Sequence, residues 1–213
     1  MKLENRKVAV LGDSITQGVG VEDLNNLYHA RLAKKYGWDL YADGISGTRI
    51  APQNKPSEEP SFDKDFISRV KDIPADSEIV VFFGGTNDYG HGDAPFGNWG
   101  DETPETFCGA VYYFMKSLIE QAPQAVFCIM TPLHRLTEDE LSVTNGRPLY
   151  DYVEIIRQTA EFFALPVLDL FKMAGLQPRV PVIMEKYVPD GLHPNDEGQR
   201  ILAERLEGFL NSL

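Results

Sequence analysis

The sequence predicts an α/β fold built on a parallel sheet. Two observations carry this: five short apolar, β-branched runs, each closed by Gly, Pro, Asp or Thr, and amphipathic stretches at helical spacing lying between them. With 213 residues, 43% hydrophobic and 24% charged, the chain has the composition of a globular protein with a sizeable core. The predicted organisation is one domain over residues 1–213, without internal repeat, low-complexity tract or linker.

The strands read as residues 8–11, 40–42, 79–83, 126–130 and 167–168, all expected to be buried. The helices read as 24–36, 62–73, 104–121, 149–164 and, after the last strand, 196–210. Pro104 suits a first helical turn with Thr103 as its cap. Asn195 caps the final helix, with Asp196 and Glu197 in the first turn where the helix dipole favours them. Residues 50–61 and 89–103 are long irregular stretches rich in Gly, Pro, Asn and Asp, and 176–189 is a third. Loops of that length in a compact domain are commonly functional.

A formal charge of −12 argues against a nucleic-acid or anionic-membrane surface, since phosphate binding needs clustered Lys and Arg. An uncharged or cationic small-molecule substrate is easier to accommodate. Cys108 and Cys128 fall in a predicted helix and a predicted strand, as small core residues rather than a disulfide or metal framework. The first apolar run is too short for a signal-peptide core or a bilayer span, so the expected location is cytoplasmic. The apolar residues of 111–115 would serve a helix-mediated homodimer as well as a core.

The most informative segment is Lys7-Val8-Ala9-Val10-Leu11-Gly12-Asp13-Ser14-Ile15-Thr16-Gln17-Gly18, where an apolar strand stops at a small polar turn that could expose the Ser14 hydroxyl. Alone, Gly-Asp-Ser reads as an ordinary turn. Its weight comes from Asp190-Gly191-Leu192-His193-Pro194, where a carboxylate and an imidazole three residues apart can meet within one turn. Serine, histidine and aspartate together make a hydrolytic triad of Ser14, His193 and Asp190. In a parallel sheet ligands sit beyond the carboxyl ends of the strands, where Gly44-Ile45-Ser46-Gly47-Thr48 and Gly84-Gly85-Thr86-Asn87-Asp88 also lie. Acyl transfer needs donors for the oxyanion, which loop glycines and the uncharged Asn87 amide can supply. Asp13 and Asp88 adjoin these residues and read as turn or cap acceptors rather than triad acids.

The segments GDSITQG, ISG, GGTND and DGLHPN occur in the order of the four signature blocks of the SGNH, or GDSL-type, hydrolases, and the chain resembles that family over nearly its full length. The resemblance implies Ser14 as nucleophile, His193 as general base, Asp190 as its orienter, and an oxyanion hole of the Ser14 amide, Gly47 and Asn87. It also implies a three-layer α/β/α sandwich of flavodoxin-like type, and activity on acyl esters of sugars, lipids or lysophospholipids, or on thioesters. One departure is Asp43, where the family pattern carries Asn before the block-two glycine.

Other readings are weaker. An α/β-hydrolase would carry Gly-x-Ser-x-Gly, and Ser14 is followed by Ile15-Thr16. A nucleotide- or flavin-binding module would carry a glycine-rich phosphate loop after the first strand, and residues 12–20 contain none. A catalytically silent carbohydrate-binding protein would have no use for Ser14, Asp190 and His193. His29 and His134 read as structural or solvated, and His91 lies with Asp88 and Asp93 without the spacing of a metal site. Phe96 and Trp99, on the 89–103 loop, read as stacking surface for a sugar ring or short acyl chain, with Trp99 equally suited to anchoring the loop. The sequence therefore predicts an esterase for small acyl groups on a carbohydrate-like alcohol, working without metal or organic cofactor.

Overall fold

A computed structural model describes residues 1–213. The strands β1 (Lys7–Gly12), β2 (Asp39–Gly44), β3 (Ile79–Phe83), β4 (Val126–Met130) and β5 (Val167–Leu168) form one all-parallel sheet in the order β2-β1-β3-β4-β5. The helices are α1 (Ser14–Gln17), α2 (Tyr28–Tyr36), α3 (Phe66–Arg69), α4 (Thr86–His91), α5 (Phe107–Gln121), α6 (Leu149–Phe162), α7 (Leu170–Met173), α8 (Pro181–Tyr187) and α9 (Asp196–Ser212).

Strand side chains alternate between faces, and here both faces are covered. Val8 and Val10 of β1, with Ile79, Val81 and Phe83 of β3, pack against Tyr28 and Leu32 of α2 and Leu202, Leu206 and Leu210 of α9. Ala9 and Leu11, with Val80 and Phe82, pack against Phe66 of α3, Phe114 of α5 and Tyr152 and Ile156 of α6. The result is a three-layer α/β/α sandwich, and double coverage is why β1 and β3 read as continuous apolar runs. The edge strand β2 differs from the expectation: Asp39 and Ala42 are exposed, because nothing pairs on its outer side.

Several helix boundaries are corrected by tertiary contacts. The predicted helix 24–36 is divided into a 3-10 turn, Leu24–Asn26, and α2, with Leu27 extended between them. Asp196 at the start of α9 holds the first piece through Glu22 N and Asn26 Nδ2, while Gln199 Oε1 accepts from Tyr28 N at the head of α2. The predicted helix 62–73 is broken where Phe66 N donates to Arg49 O and Asp65 caps α3. α5 starts at Phe107 with Thr106, not Thr103, as its cap, since Phe107 N and Cys108 N are tied to the carbonyls of Pro95 and Phe96. Asn195 does cap α9. α8 lies inside the stretch read as irregular, and Pro181 at its first position is the signal that marks it. Cys108 and Cys128 are free and buried. Val111, Phe114 and Met115 are core, leaving Tyr113 exposed. No helix is long and apolar enough to cross a membrane.

Candidate active site

With strand order 2-1-3-4-5, connections leave β1 and β3 in opposite directions, opening a crevice at their carboxyl ends. Asp13 and Ser14 follow β1, and Gly84 to Asn87 follow β3, so both segments flank that crevice. Asp13 caps α1 by accepting from Ile15 N at 3.0 Å, which places Ser14 at the head of the helix. From the far end of the chain, the turn before α9 brings His193 Nε2 to 3.0 Å from Ser14 Oγ.

The same turn orients the imidazole. Asp190 Oδ2 lies 2.6 Å from His193 Nδ1, while Oδ1 accepts from Leu192 N at 2.9 Å and His193 N at 2.7 Å. Burial raises the Asp190 carboxyl, but these N–H donors and the imidazole outweigh it and hold the group below its ordinary value. An ionised Asp190 requires a proton on Nδ1, which leaves Nε2 as the acceptor facing the Ser14 hydroxyl.

Two amides follow the carboxyl ends of β2 and β3. Gly47 has φ +74°, a left-handed conformation, and a Cβ there would stand 2.3 Å from the Phe62 ring. Its N–H donates to no other backbone or side-chain group. Asn87 is the second residue of α4, and its Nδ2 donates to Thr48 O at 3.0 Å, leaving the other N–H of that nitrogen for a ligand. Asn87 is thus helical rather than a cap, and α4 was illegible because Thr-Asn-Asp-Tyr-Gly-His is a poor helix former by propensity.

The neighbouring acids are acceptors within the scaffold, as expected. Asp88 accepts from Ile50 N at 2.9 Å and Ala51 N at 3.0 Å, fixing the chain beyond Thr48. Burial pushes its carboxyl up to about 7 against those bonds. Asp13 is pushed from 3.8 up to about 6 by burial beside Ile15, Phe83, Pro132, Leu133 and Leu192. The native state then keeps a proton that the unfolded chain has lost between about pH 4 and pH 6, so this group's contribution to stability falls as pH rises through that window. Asp13→Asn keeps an acceptor for Ile15 N and removes the titration. Urea melts are expected to show wild-type stability falling relative to the variant by on the order of 3 kcal/mol between pH 4 and pH 7.

The remaining predicted residues lie elsewhere. Phe96 is packed edge-on to Tyr152 and beside Phe107, under the Arg147 guanidinium, so it belongs to the α5/α6 side of the core. Trp99 is exposed and rests against Phe162 at the last turn of α6, the end away from the strands' carboxyl termini. Neither joins the Ser14 cluster, because the 92–106 segment runs down α5 and α6 rather than over the crevice. Among the histidines, His29 is buried with Nε2 on Thr16 O, His134 pairs with Glu138, and His91 accepts from Arg49. The Asp88 and Asp93 carboxylates are taken up by backbone N–H groups rather than turned toward His91.

Sequence reasoning missed Arg69. Its guanidinium, buried at the end of α3, contacts Gly12 O, Asp43 O and Thr48 Oγ1 and pairs with Asp43 Oδ2 at 3.2 Å. The departure at Asp43 is thereby matched by a buried cation.

A parallel three-layer sandwich with Ser14, His193 and Asp190 in series at its crevice has the architecture of a hydrolase. The chain belongs to the GDSL-like lipase/acylhydrolase family, whose model matches residues 10–201. A solved protein from Lactobacillus plantarum is 31% identical, with a TM-score of 0.81 over 98% of each chain. A carbohydrate acetylesterase family member from Sinorhizobium meliloti shares the fold at 18% identity, with a TM-score of 0.67 over 97% of this chain and 98% of that one. So does an acetyl xylan esterase at 23% identity, with a TM-score of 0.64 over 95% and 98%. No curated protein matches the chain.

Proposed function

We propose that the protein is a serine esterase that removes small acyl groups, acetyl first among them, from a carbohydrate-like alcohol. The observation that carries this is the series Asp190, His193, Ser14, with 2.6 and 3.0 Å between successive partners, beside the unspent N–H groups of Gly47 and Asn87. In this reading His193 Nε2 takes the Ser14 proton as Oγ attacks the ester carbonyl. Negative charge moves onto the carbonyl oxygen, where the amides of Ser14 and Gly47 and the Asn87 side chain receive it. The intermediate collapses by expelling the alcohol oxygen, which takes the proton from His193. Water, deprotonated by the same imidazole, then releases the carboxylic acid and restores Ser14.

Large side chains crowd two of the turns that carry the site, which suits a small acyl group: Phe62 packs on Gly47, and Leu136 packs on Gly191 with its Cβ 2.8 Å from where a Gly191 Cβ would stand. Acetyl esters of carbohydrates are the first class to test, since the fold is shared with an acetyl xylan esterase and a carbohydrate acetylesterase family member. Hydrolysis of p-nitrophenyl esters from acetate to decanoate is expected to peak at acetate. A peak at long chains would replace the substrate class with a lysophospholipid or thioester and keep the mechanism. Absence of turnover together with no fluorophosphonate labelling of Ser14 would overturn the enzyme reading in favour of a carbohydrate-binding protein.

A further inference from the structure

Arg135, on the loop after β4, is half-buried and has no carboxylate partner. The nearby acids Glu138 and Asp139 are held by His134 and Arg179, Asp190 is paired with His193, and Asp190 and Glu140 act on Arg135 only at longer range. The guanidinium instead lies on α4, with Nη1 3.4 Å from both Thr86 O and Thr86 Oγ1 and its carbon 5.2 Å from the Tyr89 ring centroid. Nη1 also stands 2.9 Å from where a Cβ of Gly90 would be.

Those contacts place the charge relative to the reacting atoms. Gly90 lies on the face of α4 shared by Thr86 and Asn87, which are four and three residues before it. The guanidinium therefore lies against the helix that carries the Asn87 amide, spanning Thr86 and Gly90. On its other side Leu136 N donates to Gly191 O at 2.8 Å, which docks the Arg135 loop on the Asp190–His193 turn. An expelled alcohol must leave within reach of His193 Nε2, so the Arg135 charge flanks the alcohol rather than the acyl group.

The charge available there is a single one. Two other cations lie beside the crevice and both are occupied: Arg69 pairs with Asp43, and Arg49 is taken by Asp63, Ser57 and His91 Nδ1, each at 2.8 Å. Because a guanidinium can only donate, His91 accepts on Nδ1 and is uncharged. One free guanidinium on a chain of net charge −12 matches a monoanion better than a phosphate dianion.

We infer that Arg135 forms a subsite for a carboxylate on the alcohol portion of the ester, so that an acylated acidic sugar is preferred over its neutral counterpart. The inference rests on the esterase reading and names the alcohol it takes. It reverses the expectation from net charge that an uncharged or cationic substrate fits best, because Arg135 has no carboxylate partner of its own.

The test compares glucuronic acid and glucose carrying one acetyl group on the same hydroxyl. Their affinities for Ser14→Ala protein are measured by calorimetry, alone and with Arg135→Gln or Arg135→Lys added, and kcat/KM is measured for both with Ser14 intact. The acidic sugar is expected to be favoured about tenfold or more, with the preference lost in Arg135→Gln and partly kept in Arg135→Lys. Turnover of both sugars at equal kcat/KM, or a preference that survives Arg135→Gln, overturns the subsite and leaves the esterase intact. Preferential binding without any turnover upholds the subsite and overturns the esterase. Failure of the acidic sugar to bind overturns the subsite.

Discussion

Ser14→Ala is expected to lower kcat by about four to six orders of magnitude while leaving the fold in place. The substitution deletes one oxygen, whose only side-chain partner is His193 Nε2 at 3.0 Å, and keeps a good helix former at the head of α1. The cap survives because it belongs to Asp13, which accepts from Ile15 N. His193→Ala should cost about as much, and the double variant little more, since a nucleophile and its base act as one unit. Asp190→Ala should instead couple loss of kcat to disorder in its turn, because the same carboxylate holds Leu192 N and His193 N. Steady-state turnover of p-nitrophenyl acetate, with thermal melts of each variant, checks this. A Ser14→Ala protein that melts like the wild type and keeps its kcat would remove Ser14 from the mechanism.

What the sequence made legible follows from range of interaction. Buried strands announce themselves by composition, so β3, β4 and β5 were bounded to the residue. Asp190 and His193 were legible because a three-residue turn constrains their geometry locally. Ser14 was legible as the end of an apolar strand, and its approach to His193 from 179 residues away follows from the fold that the family resemblance implied. The α2 break and the α5 start were hidden because distant groups decide them: Asp196 and Gln199 for α2, the carbonyls of Pro95 and Phe96 for α5. The reading of Trp99 as stacking surface beside the crevice failed for a related reason, while its alternative, an anchor for the loop, fits its contact with Phe162. Loop composition marks a segment as irregular but says nothing of its direction, and Thr106 and Asp101 tie this one down beside α5. Arg69 and Arg135 carried no signal at all, since an arginine in an amphipathic stretch or a loop is ordinarily a solvated charge.

Arg69→Met is expected to destabilise the protein by about 3–5 kcal/mol, the cost of leaving a buried charge and its acceptors without a partner. Met preserves much of the aliphatic stem, so the loss isolates the guanidinium, including its place 4.4 Å over the Phe66 ring. That group gathers the ends of β1 and β2 and the segment after Gly47: Gly12 O at 3.3 Å, Asp43 O at 3.2 Å and Thr48 Oγ1 at 3.0 Å. Thr48 in turn supplies the carbonyl that fixes the Asn87 amide. Releasing Arg69 therefore loosens the proposed oxyanion donors without touching the serine or histidine, and kcat should fall more than KM rises, because such donors act mainly on the transition state. The Asp43→Asn/Arg69→Met pair separates the two effects. Removing the stranded charge should return part of the stability, measured by urea unfolding, while kcat stays low because Gly12 and Thr48 still lack their donor. Arg69→Lys should show the same division more mildly, since an ammonium satisfies Asp43 but cannot span Gly12 O and Thr48 Oγ1 as the planar fork does. Full recovery of kcat in the double variant would mean that Arg69 serves only to neutralise Asp43, and that the Gly47 and Asn87 donors are held in place by Asp88 and the backbone alone.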